Sequence, residues 1–208
     1  MKTIRLIALF ASLSAFAATG CGDDDTPVTT SDSTVAATSS TTPSTTALAE
    51  QPIGEMSAED RETHGFPTAN REGGAALLAD VRVAGHGGFD RVTFEFRDGD
   101  VPGYRVRFVD PPITEDASGN EVEVDGAAFL EIIMTPASGV DLSGETYEET
   151  YTGPARIGPS DTASIAELVR TGDFEAVLTW HLGLGAEAPF AVGTLQDPPR
   201  LVIDVRAG

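Results

Sequence analysis

Beyond residue 75, apolar and polar residues alternate with period two along much of the chain. In Phe89-Asp90-Arg91-Val92-Thr93-Phe94-Glu95-Phe96-Arg97 the alternation puts Val92, Phe94 and Phe96 on one side. That is the pattern of a strand with one buried face. Tyr104-Arg105-Val106-Arg107-Phe108 alternates again, and Asp98-Gly99-Asp100 between them reads as a turn, so the two runs are expected to form a hairpin. Residues 77–83 open the domain, and 121–124 and 128–134 follow as strands. The last of these is apolar on both faces, which predicts a central place in its sheet. Asp116-Ala117-Ser118-Gly119-Asn120 is a second turn cluster. Residues 135–161 form an excursion rich in Gly, Pro and Glu, with a short strand expected near Tyr151. Residues 165–169 fit either a strand or one or two helical turns.

The last third of the chain echoes the first. Phe174-Glu175-Ala176-Val177 resembles Phe89-Asp90-Arg91-Val92, Pro189-Phe190-Ala191-Val192 parallels Tyr104-Arg105-Val106, and Asp197-Pro198-Pro199 repeats Asp110-Pro111-Pro112. Each half has one apolar face that it cannot bury alone. Two similar small sheets packed face to face bury both faces, so the expected fold is an all-β sandwich over residues 75–208.

Ahead of this domain the texture differs. Met1-Lys2-Thr3-Ile4-Arg5 is a basic start, followed by an apolar run over residues 6–18 and then Thr19-Gly20-Cys21. This reads as a secretory signal peptide over residues 1–20. The apolar run is too short to span a bilayer comfortably. Cys21 is the chain's one cysteine, and its setting after Ala18-Thr19-Gly20 resembles the lipobox of bacterial lipoproteins. That resemblance implies acylation at Cys21 and attachment to the cell membrane on its extracytoplasmic face. Ordinary cleavage near Ala17-Ala18, leaving a free thiol, is the alternative. Residues 21–74 are dominated by Ser, Thr, Asp, Ala, Gly and Pro. They bury too little surface to offset their ordering entropy, so a disordered linker is expected there. A flexible chain of about 50 residues has an r.m.s. reach of roughly 35–42 Å.

Charge narrows the range of partners. The formal net charge is −20, and losing Lys2 and Arg5 with the leader takes it to about −22. Such an anion is repelled by nucleic acid, which excludes nucleic-acid binding through charge. Every basic residue except Lys2 is arginine. With Val92, Phe94 and Phe96 inward, Arg91 and Arg97 point outward, and the expected hairpin adds Arg105 and Arg107 to the same face. Guanidinium forks on that face would suit carboxylates. Cross-strand pairing with Glu and Asp neighbours accounts for the same residues without a ligand.

Other chemistry is sparse. The histidines are His64, His86 and His181, with no His-x-x-x-His or Glu-x-x-His pair, so neither a metal nor any other cofactor is expected. No Gly-x-Ser-x-Gly elbow is present. A calcium loop starting at Asp116 would need a bidentate Glu at position twelve, where Ala127 stands, so a turn explains that segment better. Trp180 is in phase with Leu178, Leu182 and Leu184 and belongs to the core, which leaves His181 outward. Tyr147 and Tyr151 in the long excursion are candidates for stacking on a ligand, with plain surface packing as the alternative.

The run Gly88-Phe89-Asp90-Arg91-Val92 followed by Tyr104-Arg105-Val106, together with residues 174–184 and the ending Pro198-Pro199-Arg200-Leu201-Val202-Ile203-Asp204-Val205, resembles the AMIN domain. It resembles more closely the AMIN-like domains of actinobacterial lipoproteins. The resemblance covers about residues 77–205 and implies a β-sandwich of two similar sheets. In that family such domains sit beside amidases or secretin subunits and place them at the envelope, by contact with peptidoglycan. The chain ends three residues after Val205, so no catalytic domain is expected to follow it. The expected function is therefore a non-catalytic module that binds peptidoglycan or another wall component. A protein-interaction subunit of an envelope complex, and an enzyme with an unrecognised acidic site, are the alternatives.

Overall fold

The structure is a computed structural model that describes residues 51–62, 66, 74–97, 99–158 and 161–208. The expected signal peptide, Cys21 and the linker up to residue 50 lie outside the described residues.

Among the described residues all regular structure is strand. In chain order the strands are β1 (Arg61–Glu62), β2 (Ala76–His86), β3 (Phe89–Phe96), β4 (Gly103–Val109), β5 (Ala128–Thr135), β6 (Ala137–Ser138), β7 (Val140–Asp141), β8 (Glu148–Glu149), β9 (Arg156–Ile157), β10 (Ile165–Phe174), β11 (Val177–Leu184), β12 (Phe190–Leu195) and β13 (Arg200–Arg206). A five-stranded sheet has the order β12-β13-β3-β2-β6, and a six-stranded sheet has β1-β4-β5-β11-β10-β9. β7 and β8 form a separate ribbon.

The two halves of the sequence repeat do not make one sheet each. The first half, β2 to β5, gives its opening hairpin to the five-stranded sheet and its second pair, β4-β5, to the six-stranded one. The second half, β10 to β13, does the reverse. Replacing β2, β3, β4 and β5 by β10, β11, β12 and β13 turns the order β4-β5-β11-β10 into β12-β13-β3-β2, so the halves are interleaved by an approximate twofold relation. Both Asp-Pro-Pro runs fall in the equivalent connection, between the third and fourth strand of each half.

This arrangement corrects the expected hairpin of residues 89–97 with 104–108. β3 pairs with β2 on one side and β13 on the other. At its far end Phe96 donates its N–H to Pro199 and Arg97 donates to Leu77. No edge is left for β4, and the chain crosses to the facing sheet to pair with β5. The repeat is also offset from its sequence reading. Phe174 ends β10 and precedes the turn, so it is Val177 that corresponds to Phe89.

Inward residues of both sheets form the core. Val92, Phe94, Phe96, Leu201 and Ile203 face Ile132, Met134, Trp180, Leu182 and Leu184, all essentially excluded from solvent. Phe94 meets Trp180 edge-on at 5.7 Å. Each such side chain contributes about 1.5–3 kcal/mol on burial. Residues 128–134 lie in β5, within the interior of their sheet, as their two apolar faces predict. Residues 165–169 belong to strand β10.

His181 differs from its expected outward exposure. It does leave the core face, but residues 110–127 cover that side of the β10–β11 hairpin. Asp116 donates its N–H to Thr171, Val122 to Ile113, and Asp125 to the Glu167 carboxylate. Gly183 permits the close approach, since a Cβ there would sit 1.9 Å from the Asp125 carbonyl oxygen. His181 is thereby 5% exposed.

Residues 51–62, inside the stretch expected to be linker, lie against the domain. Arg61 sits opposite Val106 on the β4 edge, and Ser57 exchanges backbone hydrogen bonds with Phe190 on β12. Ile53 fills the space over Gly193, where a Cβ would be 2.4 Å from Ile53 Cγ1. The low apolar content of this segment concealed its docking, which rests on backbone pairing, one isoleucine and polar contacts such as Arg91 to the Gln51 carbonyl at 3.0 Å.

Candidate functional site

The four arginines expected on one face are divided between two sheets. Arg91 projects from β3 and meets Asp204 directly across on β13. The fork is bidentate, with Nε to Oδ1 at 2.6 Å and Nη2 to Oδ2 at 2.7 Å. Asp204 is fully buried and also accepts the Ile53 N–H. Arg97 pairs with Glu148 of β8 at 2.7 Å. On the outer side of the six-stranded sheet, Arg107 pairs at 2.7 Å with Glu131, its register partner on β5. Arg105 lies with its guanidinium carbon 5.1 Å over the Phe66 ring. A single four-arginine patch is therefore replaced by local pairing, because β3 and β4 are not neighbours.

A different trio does converge. Arg82 of β2, Arg91 of β3 and Arg200 of β13 line a groove of about 580 Å³ on the outer face of the five-stranded sheet. Ala84, Thr93 and Val202 form its floor, and residues 195–198 form one wall. Arg82 bridges Asp80 and Glu95, the latter at 2.7 Å. The Glu95 hydrogen bond is the main cause of a raised Arg82 pKa, so its charge is secure. Arg200 donates Nε to the Pro198 carbonyl at 3.1 Å. Among the described residues no carboxylate comes within ion-pair distance of its terminal nitrogens. Asp80, Glu95 and Asp204 offset the three guanidiniums and Asp197 adds a fourth carboxylate in the wall. The groove therefore carries no net positive charge, and Arg200 is the arginine there without a carboxylate partner among the described residues. Strand phase is the signal that could have found it: with Leu201 and Ile203 inward, Arg200 and Val202 must face out.

The two candidate tyrosines both line a small cavity of about 220 Å³ beside Arg170 and Asp173, but they differ in exposure. Tyr147 is 66% exposed. Tyr151 is 5% exposed, packs edge-on against Trp180 at 5.9 Å, and donates its hydroxyl to the Pro154 carbonyl at 2.8 Å. Burial pushes its phenol pKa up. Tyr151 is packed into the core and presents no open ring face for stacking, a correction to its expected role. Its neighbour Thr150 explains the inward placement, because the Thr150 hydroxyl donates to the Leu78 carbonyl inside the domain.

Buried and half-buried carboxylates elsewhere act as staples. Asp90 accepts the N–H groups of Ala163, Ser164 and Ile165. Glu167 accepts from Asp125 N–H and from Arg156. Asp173 accepts from the Ser138 hydroxyl and the Gly139 N–H. Each acidic group serves a separate junction, and this is not the arrangement of two cooperating carboxyls. The 115–120 turn is closed by its own atoms, with Gly119 N–H to Glu115 and Ser118 Oγ to Glu115. His181 Nδ1 lies 2.9 Å from Thr171 Oγ1, and burial lowers its pKa despite Glu131 and Asp116 nearby.

A family model for the AMIN-like domain matches residues 76–207. No curated protein and no solved structure matches the chain.

Proposed function

The chain belongs to the AMIN-like domain family, and from that premise we propose that it is a non-catalytic binding module of the cell envelope. Acylation at Cys21 holds it on the extracytoplasmic face of the membrane, and residues 22–50 act as the tether. The domain contacts peptidoglycan or another wall polymer through the Arg82–Arg91–Arg200 groove. The observation that carries this reading is the convergence of three guanidiniums on a protein of net charge −20. Arg200 presents a planar pair of donors suited to a carboxylate, such as those of peptidoglycan stem peptides. Arg82 and Arg91, fixed by their own carboxylates, pre-orient the walls.

Sedimentation with insoluble peptidoglycan tests the wall contact, at about 0.05 M and 0.3 M salt to vary screening. The full chain is retained, and Arg200→Ala reduces retention. No retention at either salt refutes wall contact. Detergent-phase partition tests the anchor separately: the protein enters the detergent phase and Cys21→Ala leaves it.

A further inference from the structure

Away from the arginine groove, the excursion between β5 and β10 meets the turn joining β10 to β11. The exposed large hydrophobic residues among the described residues are Leu142 at 73%, Tyr147 at 66% and Phe174 at 59%. All of them line one cleft of about 690 Å³. Isolated exposed apolar side chains are ordinary, but their convergence on one concavity marks an interaction site.

The charge of this cleft is one-sided. Asp141, Asp173 and Glu175 line it, and none of its lining residues is basic. Asp173 is held by Ser138 and Gly139 and paired with Arg170 at 4.0 Å from outside the cleft, so it fixes the wall and leaves Asp141 and Glu175 as the acidic groups offered to a ligand. Asp141 accepts the Ser143 N–H at 2.8 Å and interacts with the Ser143 hydroxyl, both of which lower its pKa, and Glu175 is exposed at the tip of the turn. Arg97 lies close enough to favour the Asp141 carboxylate, but its ion pair is with Glu148, outside the cleft.

The turn itself is unusual. Glu175 and Ala176 both adopt left-handed backbone, with φ of 50° and 59°. The equivalent turn of the first half uses Gly87-Gly88, with Gly88 at φ 101°. Two-residue hairpin turns favour glycine in this region. Here a carboxylate and a methyl group are retained at the strained positions, and both line the cleft.

We propose that this cleft is a second binding site, which takes a segment of a partner protein carrying an apolar side chain beside Lys or Arg. The apolar side chain enters between Leu142, Tyr147 and Phe174, and the cationic head reaches Asp141 and Glu175. Charge complementarity selects this occupant over an anionic polymer, which the same carboxylates repel. The site is independent of the arginine groove and of whether that groove contacts the wall.

The test is fluorescence anisotropy of the full chain with a labelled Gly-Leu-Lys-Phe-Arg-Gly peptide, against the same peptide with Glu in place of Lys and Arg. The basic peptide binds, and the acidic one binds at least about tenfold more weakly. Phe174→Ser and Leu142→Ser each weaken the basic peptide about fivefold or more without lowering the unfolding temperature, since both side chains are exposed. Arg200→Ala leaves this affinity unchanged while altering wall retention, so the two sites fail separately. Equal affinity for both peptides, no binding of either, or unchanged affinity in both serine variants overturns the proposal.

Discussion

The carboxylate of Asp90 accepts the backbone N–H of Ser164 at 2.6 Å, across 74 positions of sequence. Ala163 and Ile165 donate to the same group at 2.9 and 3.0 Å. A strand of one half thus fixes the entry into β10 in the other half. These N–H groups are oriented toward a charge, and hydrogen bonds to charged groups are each worth about 1.5–3 kcal/mol.

Replacing Asp90 with Asn removes the charge and turns an amide NH₂ toward the same donors. The variant is expected to be less stable by about 3 kcal/mol, read as a lower urea midpoint at an unchanged m-value.

Arg91 and Asp204 make a nearly enclosed ion pair, so removing one partner costs more than removing both. Arg91→Ala strands the Asp204 charge and is expected to lose about 3–5 kcal/mol. The double variant Arg91→Met, Asp204→Leu is expected to recover much of that loss. A double-mutant cycle by thermal or urea unfolding measures the coupling, and additive losses would show that the pair does not act as a unit.

His181 titrates against the fold. Burial lowers its folded pKa from the usual 6.5, so the unfolded chain binds the proton first as pH falls. Stability is therefore complete above about pH 6.5 and declines below it, by at most about 1.4 kcal/mol per pH unit. Glu131 and Asp116 oppose the shift. The difference in unfolding temperature between the native protein and His181→Gln, followed from pH 7.5 to 5.5 (a range chosen about the imidazole pKa of ~6.5), isolates this residue. The native advantage is expected to shrink as the solution is acidified.

The β10–β11 turn predicts a conflict between stability and binding. A non-glycine residue in left-handed backbone costs roughly 1 kcal/mol relative to glycine. Glu175→Gly is therefore expected to raise stability by up to about 1 kcal/mol while weakening the basic peptide. Ala176→Gly keeps the carboxylate, so it stabilises without the same loss of affinity.

What could be read from the sequence follows the range of the forces involved. Alternation is a local property, so the inward faces of residues 89–97 and 178–184 were legible, as was the core position of Trp180. Pairing is not local. The short link after Phe96 serves equally well for a tight turn or a crossing between sheets about 10 Å apart, and the choice is made by β13, a hundred residues later. The same cause dispersed the arginines. Arg91 was correctly placed as outward, but its neighbours are Arg82 and Arg200, not Arg105 and Arg107. Tyr147 and Tyr151 stand four residues apart in similar surroundings, and a single hydroxyl-to-carbonyl bond at Thr150 accompanies the turn of one of them inward. His181 could not be assigned because its cover comes from a connection with few apolar residues.

The interleaving of the halves has a consequence for ancestry and assembly. Strands β2–β5 and β10–β13 exchange places so evenly that two separate half-length chains, related by rotation, could build the same pair of sheets. On that geometry the molecule is a dimer made permanent, and residues 136–164 are the ligature. A cut within that stretch should leave two fragments that are each unable to bury their apolar side, yet able to recognise one another.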